Sequence, residues 1–256
     1  MSGHSKWKTI QHKKNATDAK RGKIFTRLAK EIAVAAREGG GDPESNFNLR
    51  LAVDRAKAAN MPKENIERAI KRGTGELKGE ELAEVIYEGY APNGVALLVK
   101  ALTDNKNRTV ADVRRVLTRQ GGTMADAGAV AWQFERKGYV AILPDGAPSD
   151  LDQDTLFEIA VEAGADDVVF SDDMTEVYAA LEDFQAVRQA LKDAGIEFET
   201  AELSMIPKTT MQLGVKDTLQ VMGVIEALED LDDTQQVYSN LDISDEVMAQ
   251  YEAAGA

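Results

Sequence analysis

The stretch EVIYEGYAPNGVALLVKAL, residues 84–102, decides the fold. Two runs rich in β-branched, aromatic and aliphatic residues flank APNG (91–94), and Asn93-Gly94 is the dipeptide typical of a tight hairpin turn. Before residue 80, apolar residues recur at helical spacing. After it, the apolar runs are short and separated by turn residues. The sequence therefore predicts a helical part followed by a part built from sheets.

The first predicted helix carries two separate stripes. It spans 15–37, with Asn15 as its N-cap and Asp18 placed favourably for the helix dipole. One sector of about 100° is apolar. Its members are Ile24, Phe25, Leu28, Ile32 and Ala35. A different sector is cationic, with Lys20, Lys23, Arg27, Lys30 and Arg37. The helix thus offers one face for packing and another for an anion.

Two shorter helices are predicted to follow. Gly39-Gly40-Gly41 ends the first helix, and Asp42-Pro43 predicts the N-cap and first position of the second, which ends at Asn60. Pro62 opens the third. Its inward residues are Ile66, Ala69 and Ile70, and its solvated cations are Arg68, Lys71 and Arg72. A polar linker is expected up to residue 80.

The sheet-forming part has a recognisable order of elements. GAVAWQFE (128–135) and GYVAIL (138–143) are predicted as strands around a tight turn at Arg136-Lys137-Gly138. From Tyr139 onward the elements follow the order β-α-β-β-α-β of a ferredoxin-like unit. A helix over 217–228 and the strand QQVYSN (235–240) remain, and they would complete the unit that begins at residue 81.

The predicted fold class is α+β with several domains. An N-terminal three-helix domain is followed by two α+β domains, of which one is ferredoxin-like and inserted in the other. The predicted bounds are 1–75 for the basic helical domain, 81–136 plus 204–240 for the first α+β domain, 137–203 for the inserted domain, and 241–256 for a C-terminal tail.

Charge is distributed unevenly along the chain. The 256 residues include 44 acidic and 30 basic ones, for a formal net charge of −14. Residues 1–80 hold 18 basic and 10 acidic residues, and the remainder holds 12 and 34. The segment GHSKWKTIQHKK (3–14), here called the arm, has four lysines, two histidines and no acid. A basic segment joined to an acidic body indicates polyanion binding, with a merely basic solvated surface as the alternative.

The composition argues against several other classes of protein. There is no cysteine, so disulfides and thiolate chemistry are excluded. No apolar run approaches the ~18 residues of a membrane span, and the N-terminus lacks the apolar core of a secretory signal, so we expect the cytoplasm. His4 and His12 alone do not complete a zinc site. Paired carboxylates such as Asp166-Asp167 fall at predicted element ends, where capping and solubility explain them. Because histidine is scarce and there is no nucleophile motif, we expect no enzymatic activity; we also expect no metal and no cofactor.

Longer motifs in the chain have no generic structural explanation. They are GHSKW (3–7), DAKRGKIFT (18–26), GGGDP (39–43), NMPKENIERAIKRG (60–73), YEGYAPNG (87–94), LTDNKNRT (102–109) and SMIP (204–207). In this order they resemble the YebC family; after residue 208 only ISDEV (243–247) is similar. The resemblance implies the same three domains and a non-enzymatic regulator of gene expression. Bacterial members are described as probable transcriptional regulators that bind DNA, whereas other members, mitochondrial relatives included, act in translation and associate with the ribosome.

The predicted contacts with nucleic acid lie in the arm and on the first helix. Lysine and arginine would supply phosphate contacts and counterion release, and Trp7 would either stack on an unpaired base or staple the first helix. The predicted contact residues are Lys6, Trp7, Lys8, His12, Lys13, Lys14, Lys20, Arg21, Lys23 and Arg27. A secondary basic group on the helix over 107–120 and at its start comprises Lys106, Arg108, Arg114 and Arg115.

The residues leave the kind of nucleic acid open. There is no helix-turn-helix signature for reading a duplex, and a tryptophan in a basic arm favours irregular RNA. The predicted partner is DNA, or ribosomal RNA with ribosomal proteins; no membrane and no small-molecule substrate is expected. A third class, a small-ligand sensor at 139–203, rests on fold analogy alone.

Overall fold

A computed structural model gives the fold of the protein. It describes residues 18–78, 81–149, 151–244, 246–248 and 250, with side chains described from Gly22 onward. Helices come first and sheets follow, so the predicted α+β class is confirmed. None of the helices within these ranges is long and apolar enough to cross a membrane.

The first unit is a set of three helices around an apolar core. They are α1 (Asp18–Gly39), α2 (Phe47–Ala58) and α3 (Lys63–Gly73). Ile32 of α1, Leu49 of α2 and Ile66 of α3 are buried together, and Phe25 and Leu28 pack against them. The apolar stripe predicted for α1 is therefore the face that packs.

Helix α2 begins later than the sequence predicted. Asp42-Pro43 does not start it; these residues lie in a turn, and Asn46 is the N-cap. The Asn46 side chain accepts a hydrogen bond from the Leu49 amide at 3.1 Å and donates to the carbonyl oxygens of Ala35 and Gly40, both at 2.8 Å. Because this buried amide ties the end of α1 to the start of α2, it outweighs the local preference for proline at the first helical position.

The first sheet forms around the predicted hairpin. Strands β1 (Ala83–Tyr90) and β2 (Ala96–Thr103) pair antiparallel, and Asn93 and Gly94 between them have φ of 64° and 81°. The other elements of this unit are α4 (Lys106–Arg119), β3 (Thr123–Met124), α7 (Val215–Glu229) and β9 (Thr234–Ser239). The strand order is β3-β1-β2-β9, and both helices pack into one core with Leu97 and Val99. The late helix and strand thus complete the unit that begins near residue 81, as predicted.

The ferredoxin-like unit lies between these segments. Its elements are β4 (Phe134–Ile142), α5 (Gln153–Glu162), β5 (Ala165–Phe170), β6 (Thr175–Ala179), α6 (Phe184–Asp193) and β7 (Thr200–Pro207). The strand order β5-β6-β4-β7 is antiparallel throughout, as the predicted β-α-β-β-α-β arrangement requires. Strand β4 begins before residue 137 and β7 ends after residue 203, so both predicted boundaries fall inside strands. The division of the chain at those positions stays a prediction.

One predicted turn is a strand. Strand β4 passes without interruption through Arg136-Lys137-Gly138, and residues 131–133 before it form a short 3₁₀ helix rather than a strand. Gly138 is buried beneath Phe184: a Cβ at this position would lie 2.3 Å from Phe184 Cδ2. The hairpin predicted at 136–138 is therefore wrong, because this glycine allows a ring to approach the backbone and does not reverse the chain.

The chain after β9 packs back on the first sheet. Strand β10 (Leu241–Asp242) pairs in parallel with β8 (Met211–Gln212). Leu241, Ile243 and Val247 are buried in the core of the first sheet. The beginning of the segment predicted as a tail is thus part of that core.

The helical unit docks on the ferredoxin-like unit through side chains of α2. The Phe47 ring meets the edge of Phe184 with centroids 6.1 Å apart, and Asp54 of α2 pairs with Arg188 of α6. Arg55 binds Glu31 of α1 and, at 3.3 Å, Glu202 of β7. The α2 side chains therefore fix the helical unit against the ferredoxin-like one.

Candidate nucleic-acid interface

The predicted contact residues fall into three groups in the structure. Those of the arm lie outside the described residues: Lys6, Trp7, Lys8, His12, Lys13 and Lys14. Lys20 and Arg21 belong to α1, where only their backbone is described. Lys23 and Arg27 are described in full, and their surroundings differ from the expectation of a solvated cationic stripe.

Lys23 and Arg27 face carboxylates of the chain itself. The last residue of α7 and the connection to β9, here together called the acidic corner, cover residues 229–233 and contain Glu229, Asp230, Asp232 and Asp233. Lys23 Nζ lies 3.2 Å from Asp230 Oδ1. Burial lowers the pKa of Arg27, and the attraction of the neighbouring carboxylates opposes this shift. Lys23 is therefore already paired with an internal anion, whereas Arg27 lies in the field of the same carboxylates and its buried Nε has no hydrogen-bond partner among the described residues.

Asp233 joins the acidic corner to α1 at a second point. Its Oδ1 accepts a hydrogen bond from Lys30 Nζ at 2.9 Å, and its Oδ2 accepts from Arg108 at 2.8 Å, Thr109 at 2.8 Å and Thr103 at 3.1 Å. Burial alone would raise the pKa of Asp233. Hydrogen bonds from Arg108, Lys30 and Thr109 outweigh it, so this pKa lies below its ordinary value.

Replacing Asp233 by asparagine is expected to lower the free energy of unfolding by about 2–4 kcal/mol near neutral pH, because Lys30 and Arg108 lose their shared carboxylate. The folded-state pKa lies below the unfolded value of about 4. The contribution of Asp233 is therefore complete above that value and is lost as the pH falls through the folded pKa. Urea unfolding at neutral and at acidic pH measures both effects.

Asp230→Asn is the matched control, because the Asp230 side chain is 75% exposed and that of Asp233 is 9% exposed. An exposed pair contributes about 0–1 kcal/mol. Equal losses for the two variants would show that Asp233 does not hold the units together.

The secondary basic group is divided in the structure. Arg108 is held by Asp233 and by Asp104 at 2.7 Å, and Arg115 pairs with Asp112 at 2.8 Å. Lys106 and Arg114 are exposed, without an ion pair among the residues that the structure describes. This group therefore offers two uncompensated cations.

A groove between α1 and α3 gathers cations that the sequence analysis left as solvated. Its volume is about 680 Å³, and no described residue that lines it is acidic. Its cationic residues are Lys30, Arg37, Arg68, Arg72 and Lys78. All except Lys30 make no ion pair within the described ranges, and we call these four the rim. In a chain of net charge −14, an uncompensated cationic rim attracts polyanions.

Part of the rim could have been found from the sequence. Arg68 and Arg72 are four residues apart, which places them on one face of α3; Glu64 has the same spacing from Arg68 but makes no ion pair with it among the described residues. Arg37 and Lys78 join them only through tertiary structure, because they come from the end of α1 and from the linker. Within the described part of the chain, no group of three His, Asp or Glu could hold a metal ion.

Comparison with known proteins agrees with the resemblance of the motifs. The TACO1/YebC N-terminal domain matches residues 5–76, and the TACO1/YebC second and third domain matches residues 82–241. A "Probable transcriptional regulatory protein" of Desulforapulum autotrophicum is 55% identical over 247 residues, which are 96% of this chain and 98% of that protein. One of Geobacter sulfurreducens is 54% identical over 248 residues, 97% and 98% of the two chains.

A solved structure extends the likeness to the fold. The crystal structure of a conserved hypothetical protein from Aquifex aeolicus has a TM-score of 0.80 and 45% sequence identity, and the match covers 89% of this chain and 93% of that one. The motifs, the two domain matches and the shared fold lead to one conclusion: the chain belongs to the TACO1/YebC family.

Proposed function

We propose that this protein is a non-enzymatic, nucleic-acid-binding regulator of gene expression, acting in the cytoplasm as a DNA-binding transcriptional regulator. The observation that carries the proposal is the groove on the helical unit: its described lining contains no acid, and its four rim cations make no ion pair with a described residue. The relatives named probable transcriptional regulatory proteins support it.

The arm and the rim supply the proposed contacts. Lysine and arginine neutralise phosphates and release counterions, which gives affinity without sequence information. The arm precedes α1 in the chain, and α1 forms one wall of the groove. Lys23 joins these contacts only when a polyanion displaces the acidic corner, since Asp230 pairs with it. Arg27 is partly buried beside the same carboxylates, so it becomes available through the same displacement.

A second candidate function is that of a ribosome-associated RNA-binding translation factor. Residues 137–203, which form most of the ferredoxin-like unit, contain 17 acidic and three basic residues. A unit of such charge is repelled by a long duplex that the helical unit binds. A ribosome presents basic proteins beside its RNA, so the acidic unit would face protein while the helical unit contacts RNA.

Sedimentation of a cell lysate through a sucrose gradient, with and without nuclease, tests the two candidates. For a transcriptional regulator we expect the protein in the light fractions and promoter DNA in a chromatin pull-down. Co-migration with ribosomal particles, lost when the arm lysines Lys6, Lys8, Lys13 and Lys14 are changed to glutamate, would replace the transcriptional proposal by the translational one.

A further inference from the structure

We infer that the groove between α1 and α3 binds unpaired nucleotides, with bases on its apolar floor and phosphates on its cationic rim. The inference rests on the proposed function and names the class of nucleic acid that this site takes. Unpaired RNA and unpaired DNA offer the same chemistry here: flat apolar bases joined by phosphates.

The floor of the groove is apolar and combines small and large residues. Phe25, Ala29 and Ala33 of α1 line it together with Met61 and Leu82. Ala29 and Ala33 are partly exposed, so the floor is open to solvent between the helices. Phe25 adds a ring to which a base can stack. A site for phosphate alone needs no such floor.

The two helices that form the walls lie very close together. A Cβ at Gly73 of α3 would lie 2.2 Å from the carbonyl oxygen of Ala33, so the backbones touch at this point. Axes of packed helices are about 8–10 Å apart, which leaves a narrow groove. In a duplex the base faces are covered by stacking, and only an unpaired base presents a face that can enter. A duplex reaches the rim alone.

The dimensions suit a short run of nucleotides. The wall formed by α1 extends from Phe25 to Arg37, which corresponds to about 18 Å of helix. The volume of the groove, about 680 Å³, lies inside the range of small-molecule pockets, roughly 300–1,000 Å³. Rim cations stand on both walls, Arg37 on α1 and Arg68 and Arg72 on α3, so the backbone of a bound strand is flanked by positive charge.

Fluorescence anisotropy with the full chain tests this inference. The probes are a single-stranded RNA, a single-stranded DNA and a blunt duplex, each of roughly 12 nucleotides or base pairs, at one salt concentration. Ala29→Leu fills the floor without changing charge. We expect it to weaken both single strands about tenfold and the duplex less than about twofold. Unequal losses for RNA and DNA identify which strand fits better.

Two neighbouring substitutions distinguish an effect of the rim from a general effect of net charge on binding. Arg72→Glu changes a groove residue, whereas Lys71→Glu makes the same change of sign on the exposed surface of α3 outside the groove. We expect Arg72→Glu to weaken single strands at least about fivefold more than Lys71→Glu. Equal effects would overturn the placement of the strand in the groove.

The outcomes distinguish this inference from the proposed function. Wild-type protein that binds none of the probes contradicts the proposed function itself. Wild-type protein that binds all probes, with an Ala29→Leu variant that loses equally on single strand and duplex or loses nothing, overturns only the groove inference. If Ala29→Leu fails to fold, photo-crosslinking of a 4-thiouridine strand to the wild type decides, with adducts expected in 25–37 or 61–73 and adducts elsewhere as the contrary result.

Discussion

Changing Lys6, Lys8, Lys13 and Lys14 together to glutamate is expected to lower nucleic-acid affinity about 1,000-fold at about 0.1 M salt. Each phosphate that a cation neutralises contributes about 0.7–0.9 to the slope of log K against log[salt], so four lost contacts remove about three decades at that concentration. The slope itself should become shallower by about three. Stability should barely change, because these positions lie outside every predicted apolar stripe. Anisotropy titrations over a series of salt concentrations measure affinity and slope together.

The matched control reverses exposed lysines outside the helical unit. Lys192, Lys208 and Lys216 are exposed and far along the chain from the arm. A general effect of net charge would weaken binding by a comparable factor per reversed lysine when these three become glutamate. That result, or an arm variant that binds as tightly as the wild type, would remove the arm from the interface.

Gly138→Ala is expected to lower the free energy of unfolding by about 3 kcal/mol, because the new methyl group would overlap a ring in a closely packed core. The Cβ would lie 2.3 Å from Phe184 Cδ2 and 2.6 Å from its Cβ, on a strand in the interior of the ferredoxin-like sheet. Denaturant unfolding with a tryptophan or circular-dichroism signal measures the loss.

The control is a glycine-to-alanine substitution at a position where the new methyl group meets no other side chain among the described residues. Gly223 lies inside α7, and a Cβ there would meet no described atom within 4 Å apart from the helix's own neighbouring backbone, so Gly223→Ala is expected to be neutral or to stabilise by up to about 1 kcal/mol. Combining Gly138→Ala with Phe184→Leu should cost less than the sum of the single changes, since the clash is shared. Strict additivity would contradict a direct contact between the two positions.

The parts of the fold that the sequence predicted correctly have local causes. Asn93-Gly94 fixes the hairpin through the positive φ of its two residues, and the apolar spacing of α1 fixes the face that packs. The errors at Asp42-Pro43 and Gly138 have non-local causes. In one case the buried Asn46 side chain binds the end of α1, and in the other Phe184 arrives from a helix distant in sequence. Local sequence preferences cannot predict either contact, because each depends on residues that only the fold brings together.

The candidate site likewise has features that sequence spacing predicts and features that depend on the tertiary fold. Helical periodicity gives the side of α1 on which Lys23 and Arg27 lie, but Asp230, which pairs with Lys23, is more than 200 residues further along the chain. The pairing could not be predicted from the spacing of the cations. Arg68 and Arg72 of the rim are visible in the spacing, whereas the apolar floor between them and α1 exists only because Gly73 lets two helices touch.

If α1 binds a polyanion as proposed, the acidic corner is expected to make that binding depend on the length of the polyanion. Because residues 229–233 belong to the same chain as Lys23 and Lys30, they compete for α1 at a fixed effective concentration that dilution of the protein does not change. A short oligonucleotide must overcome this tethered competitor from free solution. A longer strand that other contacts already hold is tethered as well, so it also has a high effective concentration at α1 and can displace the acidic corner. Affinity should therefore rise steeply once a strand is long enough to contact Lys23 and Lys30 together with the cations of the arm or the rim.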